Sequence, residues 1–216
     1  MYYQIKGLVL NSQISGEADK VANIFSYQWG KISVLFTSAK KIKAKLAAVA
    51  EPLTESEFML YQSHPSMRPK AVGGQILNNF SPIKLDFTKN IYAFYTCEIV
   101  LNMVAYNVSN IKKYELIRRI WQVLGDCKNP KRATMAFVLR FLILSGYSFG
   151  EYIANNLSVF DAHLQREIAA LSRCAGNNLD SLNIDDKRVW LAMETYLSAY
   201  MKKPAVGIFL KKMESL

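Results

Sequence analysis

The spacing of apolar residues changes once along this chain, near Pro82, and this change constrains the fold more than any other feature. Before it, apolar and polar residues alternate in short runs, a period typical of β-strands. After it, apolar residues recur every three or four positions, as in amphipathic helices. We therefore expect an α+β protein, with a β-domain over residues 1–80 and an all-α helical domain over residues 81–216.

The β-domain is expected to contain five strands. Alternating patterns mark residues 5–10, 21–27, 32–36, 55–62 and 70–77. Gly30 is placed to form a tight hairpin between the second and third strands, because glycine adopts positive φ without strain. Residues 39–50 favour a short helix that Pro52 ends. Five strands, a connecting helix and a basic face describe an OB-fold, a small barrel that commonly binds oligonucleotides, although other small barrels fit the pattern equally well.

In the second domain, helical spacing is clearest in three segments, and three further helices are expected after them. The three are centred on Tyr95, Ile120 and Phe141, and the others cover residues 160–173, 185–201 and 205–213. The most apolar long window, residues 91–108, is interrupted by polar residues, so we interpret it as a buried helix and not a membrane span. The N-terminus lacks a secretory pattern, so no export is expected.

Residues 20–50 carry six lysines and no acidic residue, in a chain with a formal net charge of +10. Neutralising phosphates releases counterions, so such a stretch favours nucleic acid, although charge alone does not separate DNA, RNA, an anionic membrane or an acidic peptide. A solubilising surface is the simpler explanation of a charge run, but here the usual interspersed acids are missing. Because unpaired ammonium groups are costly to bury, five of these lysines are expected to be exposed: Lys31, Lys40, Lys41, Lys43 and Lys45.

Aromatic residues lie close to this charge. Rings that stack on unpaired bases are the second component of single-strand binding. Tyr27 and Trp29, beside the hairpin, are the candidates for stacking, whereas Phe25 and Phe36 continue the apolar face and are expected in the core.

Signatures of enzymes, metals and cofactors are missing. The chain has no phosphate-binding loop, and its two histidines are far apart in sequence. The cysteines Cys97, Cys127 and Cys174 form no CxxC pair. Asp185 and Asp186 are best explained as acids at the start of a helix. We expect no catalytic residue, no metal and no cofactor.

A second basic window flanks the apolar helix after Pro130, where residues 127–150 contain no acid. Cations at the rim of a hydrophobic groove suit an acidic peptide, but a core helix with basic ends fits equally well. This leaves an alternative function: a basic adaptor that recognises acidic peptide tails and has little intrinsic DNA binding.

Several short elements occur in a specific order in the first domain. They are Gly7-Leu-Val-Leu, Gly16-Glu-Ala-Asp-Lys20, Ile24-Phe25, Gly30-Lys31, the lysine cluster, and Pro52-Leu53 followed by Glu57. This order resembles the RecO family of bacterial recombination mediators, which has a G-E-x-D element, a G-K hairpin and a basic element. In the second domain, Ala93-x-Tyr95-x-x-Glu98 and the run from Phe137 to Tyr147 resemble that family more loosely.

The resemblance implies an OB-fold and ATP-independent binding and annealing of single- and double-stranded DNA. It also implies that the protein, with RecR, helps RecA load onto DNA coated with single-strand-binding protein, in the bacterial cytoplasm at the nucleoid. The expected DNA-binding residues are Lys20, Lys31, Lys40, Lys41, Lys43, Lys45, Tyr27 and Trp29. The acidic C-terminal tail of single-strand-binding protein is expected around Lys131, Arg132, Phe137 and Arg140.

Two departures from the family pattern change these expectations. Thr37-Ser38 stands where the family often has Lys-Gly, and Ala44 replaces a serine, so the basic loop is expected to differ in shape or affinity. Many relatives carry four cysteines after the Gly-Tyr element as a zinc module. Residues 148–156 contain none, so we expect no zinc module.

Overall fold

The computed structural model describes residues 1–37, 46–147, 149–156, 161–174 and 176–201, and these form two compact units. The barrel unit comprises Met1–Ser81 and Val104–Arg118. The helical unit comprises Pro82–Met103 and the described residues from Arg119 onward. Residues 104–118 thus belong to the barrel unit although they follow a long helix of the other unit.

The barrel unit is a closed ring of five strands. They are β1 (Tyr2–Ser15), β2 (Asp19–Ser26), β3 (Gly30–Phe36), β4 (Thr54–Tyr61) and β5 (Lys70–Asn78). The order around the ring is β1-β2-β3-β5-β4. Neighbouring strands are antiparallel except β3 and β5, which meet as a parallel pair at Leu35 and Lys70. This ring is an OB-fold, and a helical unit follows it, so the predicted fold class is confirmed.

Alternation along the strands explains the core of the barrel. Phe36 is fully buried in this core, as predicted, and its ring meets the Phe58 ring edge-on with centroids 6.0 Å apart. Phe25 is also fully buried, but it follows Ile24, which belongs to this core, so alternation places Phe25 on the outer face of β2. A 3-10 helix, Ala48–Ala50, places Val49 against this core. The helix predicted over residues 39–50 otherwise lies mostly outside the described residues.

Gly30 satisfies two separate constraints. Its φ is +69°, which the predicted hairpin requires. In addition, a Cβ at this position would lie 2.0 Å from the carbonyl oxygen of Val108. Segment 104–110 therefore runs directly against the hairpin, and Asn107 N donates to Lys31 O at 2.9 Å. Only glycine leaves room for this approach.

Seven α-helices occur within the described residues. They are α1 (Ser81–Lys84), α2 (Phe87–Met103), α3 (Ile111–Asp126), α4 (Pro130–Leu144), α5 (Phe149–Asn155), α6 (Ala162–Arg173) and α7 (Asp186–Ser198), and a 3-10 helix covers Gly176–Ser181. The short helices α1 and α5 were not predicted, because one or two turns show no clear periodicity. The helix predicted over residues 205–213 lies outside the described residues.

Helix ends follow the expected chemistry. Asn129 caps α4 by accepting from Arg132 N, and Pro130 occupies the first turn. Gly146, with φ +79°, follows the end of the same helix. Asp185 accepts from the backbone of Lys187 and Arg188 at the start of α7, so the predicted capping role is confirmed.

Helix α2 is a core helix, as predicted, but it ends at Met103, whereas the apolar window was expected to be helical as far as residue 108. Tyr95 and Val100 are fully buried, and Trp121 Nε1 donates to Thr96 Oγ1 at 3.1 Å. No single helix among the described residues is both long and apolar enough to cross a membrane; α4 and α5 meet that test only jointly, as a bent pair.

Candidate nucleic-acid interface

The lysines predicted to bind DNA are in three different situations. Lys40, Lys41, Lys43 and Lys45 lie outside the described residues. Lys20 forms an ion pair with Glu51, with Nζ 2.7 Å from Oε1. This pairing neutralises Lys20 locally. Lys31 is the third case.

Lys31 is buried, so the expectation that it is exposed is wrong. Its relative exposure is 5%, and its Nζ lies 4.3 Å from the centroid of the Tyr106 ring. A cation over an aromatic face is stabilised by the ring quadrupole, which offsets part of the cost of desolvation. Burial lowers the pKa of Lys31 below the ordinary lysine value. The covering residue comes from segment 104–110, more than seventy positions further along the chain.

The two predicted stacking residues are both in contact with other rings. Tyr27 is partly exposed and meets Tyr114 edge-on, with centroids 5.3 Å apart. Trp29 is partly buried against the barrel core and meets Tyr3 edge-on at 4.9 Å. Their role in DNA binding stays a prediction, although Trp29 also lines a groove.

This aromatic groove has a volume of about 640 Å³, within the range of small-molecule sites. Its aromatic walls are Tyr3, Trp29 and Tyr106, and the β4–β5 loop forms another side. Gln62 Nε2 shapes that loop by donating to the carbonyls of Pro65 at 3.2 Å and Met67 at 2.6 Å. No acidic side chain lines the groove among the described residues.

Sequence reasoning missed two residues of this groove, Tyr106 and Arg68. Tyr106 lies in the apolar window 91–108, which was expected to form a buried helix, whereas α2 ends at Met103. Arg68 lies in the loop between β4 and β5; it is exposed and has no ion-pair or hydrogen-bond partner in the described part of the chain. The sequence analysis considered only the lysine cluster and the basic window of the second domain, so this single arginine was overlooked.

A second pocket of the barrel unit, about 630 Å³ in volume, is lined by side chains of both charges. Glu55 is buried there and accepts from Tyr114 Oη at 2.9 Å and from Arg118 Nε at 3.2 Å. Burial, together with the Glu55 carboxylate, raises the pKa of Tyr114. Two carboxylates, those of Glu55 and Glu115, line this pocket. Lys6 and Arg118 also line it, and Arg118 is bound to both carboxylates, so these contacts link β4 to α3.

The basic window of the helical unit is largely turned inward. Arg132 Nε lies 2.9 Å from Asp186 Oδ1, and its Nη1 donates to the carbonyl of Leu182 at 2.8 Å. Arg140 donates to the carbonyls of Ser172, at 2.9 Å, and Cys174. Burial lowers the pKa of Arg140. These two guanidinium groups hold segments of the unit together.

The other two residues predicted to bind a peptide are also in internal contacts. Phe137 is buried in the core, with its ring 5.4 Å from that of Phe141. Lys131 Nζ lies 5.4 Å from the centroid of the Trp190 ring. The described residues therefore do not bring these side chains together as an open groove.

Within the described ranges, no group of three or more His, Cys, Asp or Glu side chains is placed to hold a metal ion. Cys97 is buried, and Cys127 and Cys174 are partly buried; none of the three forms a disulfide.

Two family models match this chain. The model described as "Recombination protein O N terminal" matches residues 1–68, and "Recombination protein O C terminal" matches residues 84–149.

Similar proteins carry the name "DNA repair protein RecO". One from Listeria monocytogenes serotype 4b is 29% identical over 141 residues, covering 65% of this chain and 54% of the relative. One from Acetivibrio thermocellus is 25% identical over 191 residues, covering 86% of this chain and 75% of the relative. One from Bacillus cytotoxicus is 24% identical over 146 residues, covering 68% and 58%. The chain thus spans little more than half the length of the Listeria relative.

Proposed function

The chain belongs to the RecO family of DNA repair and recombination proteins, and we propose that it acts as a mediator that binds single- and double-stranded DNA without ATP and anneals complementary strands. This role needs no covalent chemistry, so the protein is proposed to be a binding protein and not an enzyme.

The observation that carries the proposal is the excess of positive charge on an OB-type barrel. The barrel unit contains twelve Lys and Arg residues and six Asp and Glu residues. Three of those acids, Glu51, Glu55 and Glu115, are already paired with Lys20 or Arg118. The remaining positive charge favours a polyanion, and phosphate contacts supply affinity that does not depend on base sequence.

The phosphate contacts are assigned to lysines between β3 and the 3-10 helix and to Arg68. The four lysines are Lys40, Lys41, Lys43 and Lys45. Lys20 is neutralised by Glu51, and Lys31 is buried under Tyr106. Lys31 therefore acts through the ring it supports and not through direct contact with a phosphate.

Membership of the RecO family also supports a proposal for the partners of this protein. With a RecR-like protein, this protein is proposed to help RecA load onto DNA coated with single-strand-binding protein, whose acidic C-terminal tail it binds. In the helical unit, Lys131 is proposed as a contact for the tail's acidic groups; it lies over the Trp190 ring, and the Arg132 and Arg140 guanidinium groups beside it are bound to internal acceptors.

Annealing of complementary oligonucleotides tests this function. The protein should accelerate annealing equally with and without ATP. On strands coated with single-strand-binding protein, acceleration should fall when that protein lacks its acidic tail, and Lys131→Ala should reproduce the loss.

Two results would contradict the proposal. Annealing at the spontaneous rate would exclude the mediator function. Binding of an acidic peptide without any binding of DNA would instead support the adaptor function.

A further inference from the structure

Tyr106 is held in place on several sides before any ligand arrives. Its hydroxyl donates to Asn23 Oδ1 at 3.1 Å, and Lys31 Nζ lies 4.3 Å from its ring centroid. The next residue, Asn107, bonds through its backbone to β3. Even so, half of the Tyr106 surface, 50%, is exposed. A ring fixed in this way loses little conformational freedom when another ring stacks on it.

The surroundings of Tyr106 match the chemistry of one unpaired nucleotide. Tyr3 and Trp29 add aromatic surface to the groove, and Ser33 adds a hydroxyl group. Arg68 lies at its rim, with its guanidinium uncommitted among the described residues. Stacking surfaces beside a cation are the arrangement that binds single strands.

The two pockets of the barrel unit differ in the charge of their walls, and this difference favours the aromatic groove as a site for DNA. The pocket at Glu55 has two carboxylates and two cations in its wall, and Arg118 is bound to both carboxylates, so the pocket offers no clear excess of positive charge to a phosphate backbone. The aromatic groove has no carboxylate in its wall within the described part of the chain. A paired duplex hides the faces of its bases inside the stack, so only a single strand can use the Tyr106 ring.

We propose that the aromatic groove holds an unpaired base of single-stranded DNA, with Tyr106 as the stacking surface and Arg68 as the contact to a neighbouring phosphate. This inference rests on the proposed DNA-binding function and adds a single-strand subsite to it. It gives the barrel a means to prefer unpaired strands, which phosphate contacts alone do not provide.

The test compares a short oligothymidylate with an abasic strand of the same length and phosphate count. The wild-type protein should bind the oligothymidylate at least about fivefold more tightly, because stacking of one base contributes that much or more. Tyr106→Leu should remove most of this preference and leave affinity for the abasic strand unchanged. Tyr106→Phe, which keeps the ring, should retain the preference.

A matched control is Tyr61→Leu, which alters another partly exposed tyrosine of the barrel unit that does not line the groove. It should behave as wild type. Tryptophan fluorescence provides a second measurement of binding at the groove, in protein that keeps Tyr106. Trp121 and Trp190 are buried, so quenching by oligothymidylate should come from Trp29 and disappear in Trp29→Phe.

The outcomes separate this inference from the function on which it rests. Equal wild-type affinity for the two strands overturns the base subsite and leaves DNA binding intact. Failure to bind either strand overturns both. Competition for the groove by an acidic peptide, lost in Tyr106→Leu, would assign it to a protein partner instead.

Discussion

Replacing Gly30 by alanine tests how the barrel and segment 104–110 are joined. Gly30 and Gly16 both have φ of +69°, so alanine at either position carries the same backbone strain. That strain costs about 1–2 kcal/mol in the free energy of unfolding. At Gly16 no described atom lies within 4 Å of the new Cβ, so little further cost is expected. Gly16→Ala is therefore the matched control.

At Gly30 the new Cβ meets the Val108 carbonyl oxygen at 2.0 Å, closer than real Cβ atoms come to any neighbour. Segment 104–110 must therefore move away. The shift breaks the bond from Asn107 N to Lys31 O, worth about 0.5–1.5 kcal/mol. It also weakens the Lys31–Tyr106 contact, worth about 0.5–2 kcal/mol. Gly30→Ala should thus lower the free energy of unfolding by about 2–5 kcal/mol in total.

Urea unfolding, followed by circular dichroism, measures both variants. Both variants carry the same backbone strain, so the difference between their free energies of unfolding measures the contribution of the docked segment 104–110. Gly30→Ala should also lose the preference for oligothymidylate over the abasic strand, because Tyr106 moves. Equal destabilisation of the two variants would refute the docking of this segment on the hairpin.

Three further outcomes are expected. Lys31→Met should leave affinity for the abasic strand nearly unchanged, because Lys31 acts only through the Tyr106 ring, whereas Arg68→Ala should weaken binding and reduce the salt dependence of log K by about 1 in titrations at several salt concentrations. Glu55→Ala removes the acceptor of two hydrogen bonds from α3 and should lower the free energy of unfolding by about 2–4 kcal/mol in urea, with the partly exposed arginine bond contributing less. Burial raises the pKa of Cys127 to about 11, so thiol reagents should modify Cys127 slowly at pH 8 and faster with each pH unit toward 11. Cys97 is fully buried and should stay unmodified. Because the folded state holds the Cys127 proton more tightly, that contribution to stability is present below pH 9 and is lost as the pH rises toward 11.

Local patterns predicted most of the elements because their causes are local. Alternation in β1 to β5, positive φ at Gly30 and the cap at Asp185 each depend on a few neighbouring residues. The return of residues 104–118 to the barrel unit has no such local cause. It depends on a close approach between Gly30 and Val108, and no periodicity marks that contact.

The candidate site was harder to predict for the same reason. A lysine in an acid-free run is ordinarily a surface residue, yet Lys31 is covered by a ring from a distant segment. Arg132 and Arg140 were expected at the rim of a groove, but backbone carbonyls and Asp186 bind them. In each case the tertiary fold alone brings the partner close to the cation. The charge pattern of the sequence therefore predicted where positive charge lies along the chain, but not what each side chain contacts.

The salt dependence of single-stranded DNA binding tests the central claim most directly. Association constants are measured at several salt concentrations for the wild-type protein and for a variant with alanine at Lys40, Lys41, Lys43 and Lys45. If these lysines contact phosphates, log K falls steeply with log salt in the wild type, and the slope is shallower in the variant by about 3. Identical slopes in the two proteins would contradict the account.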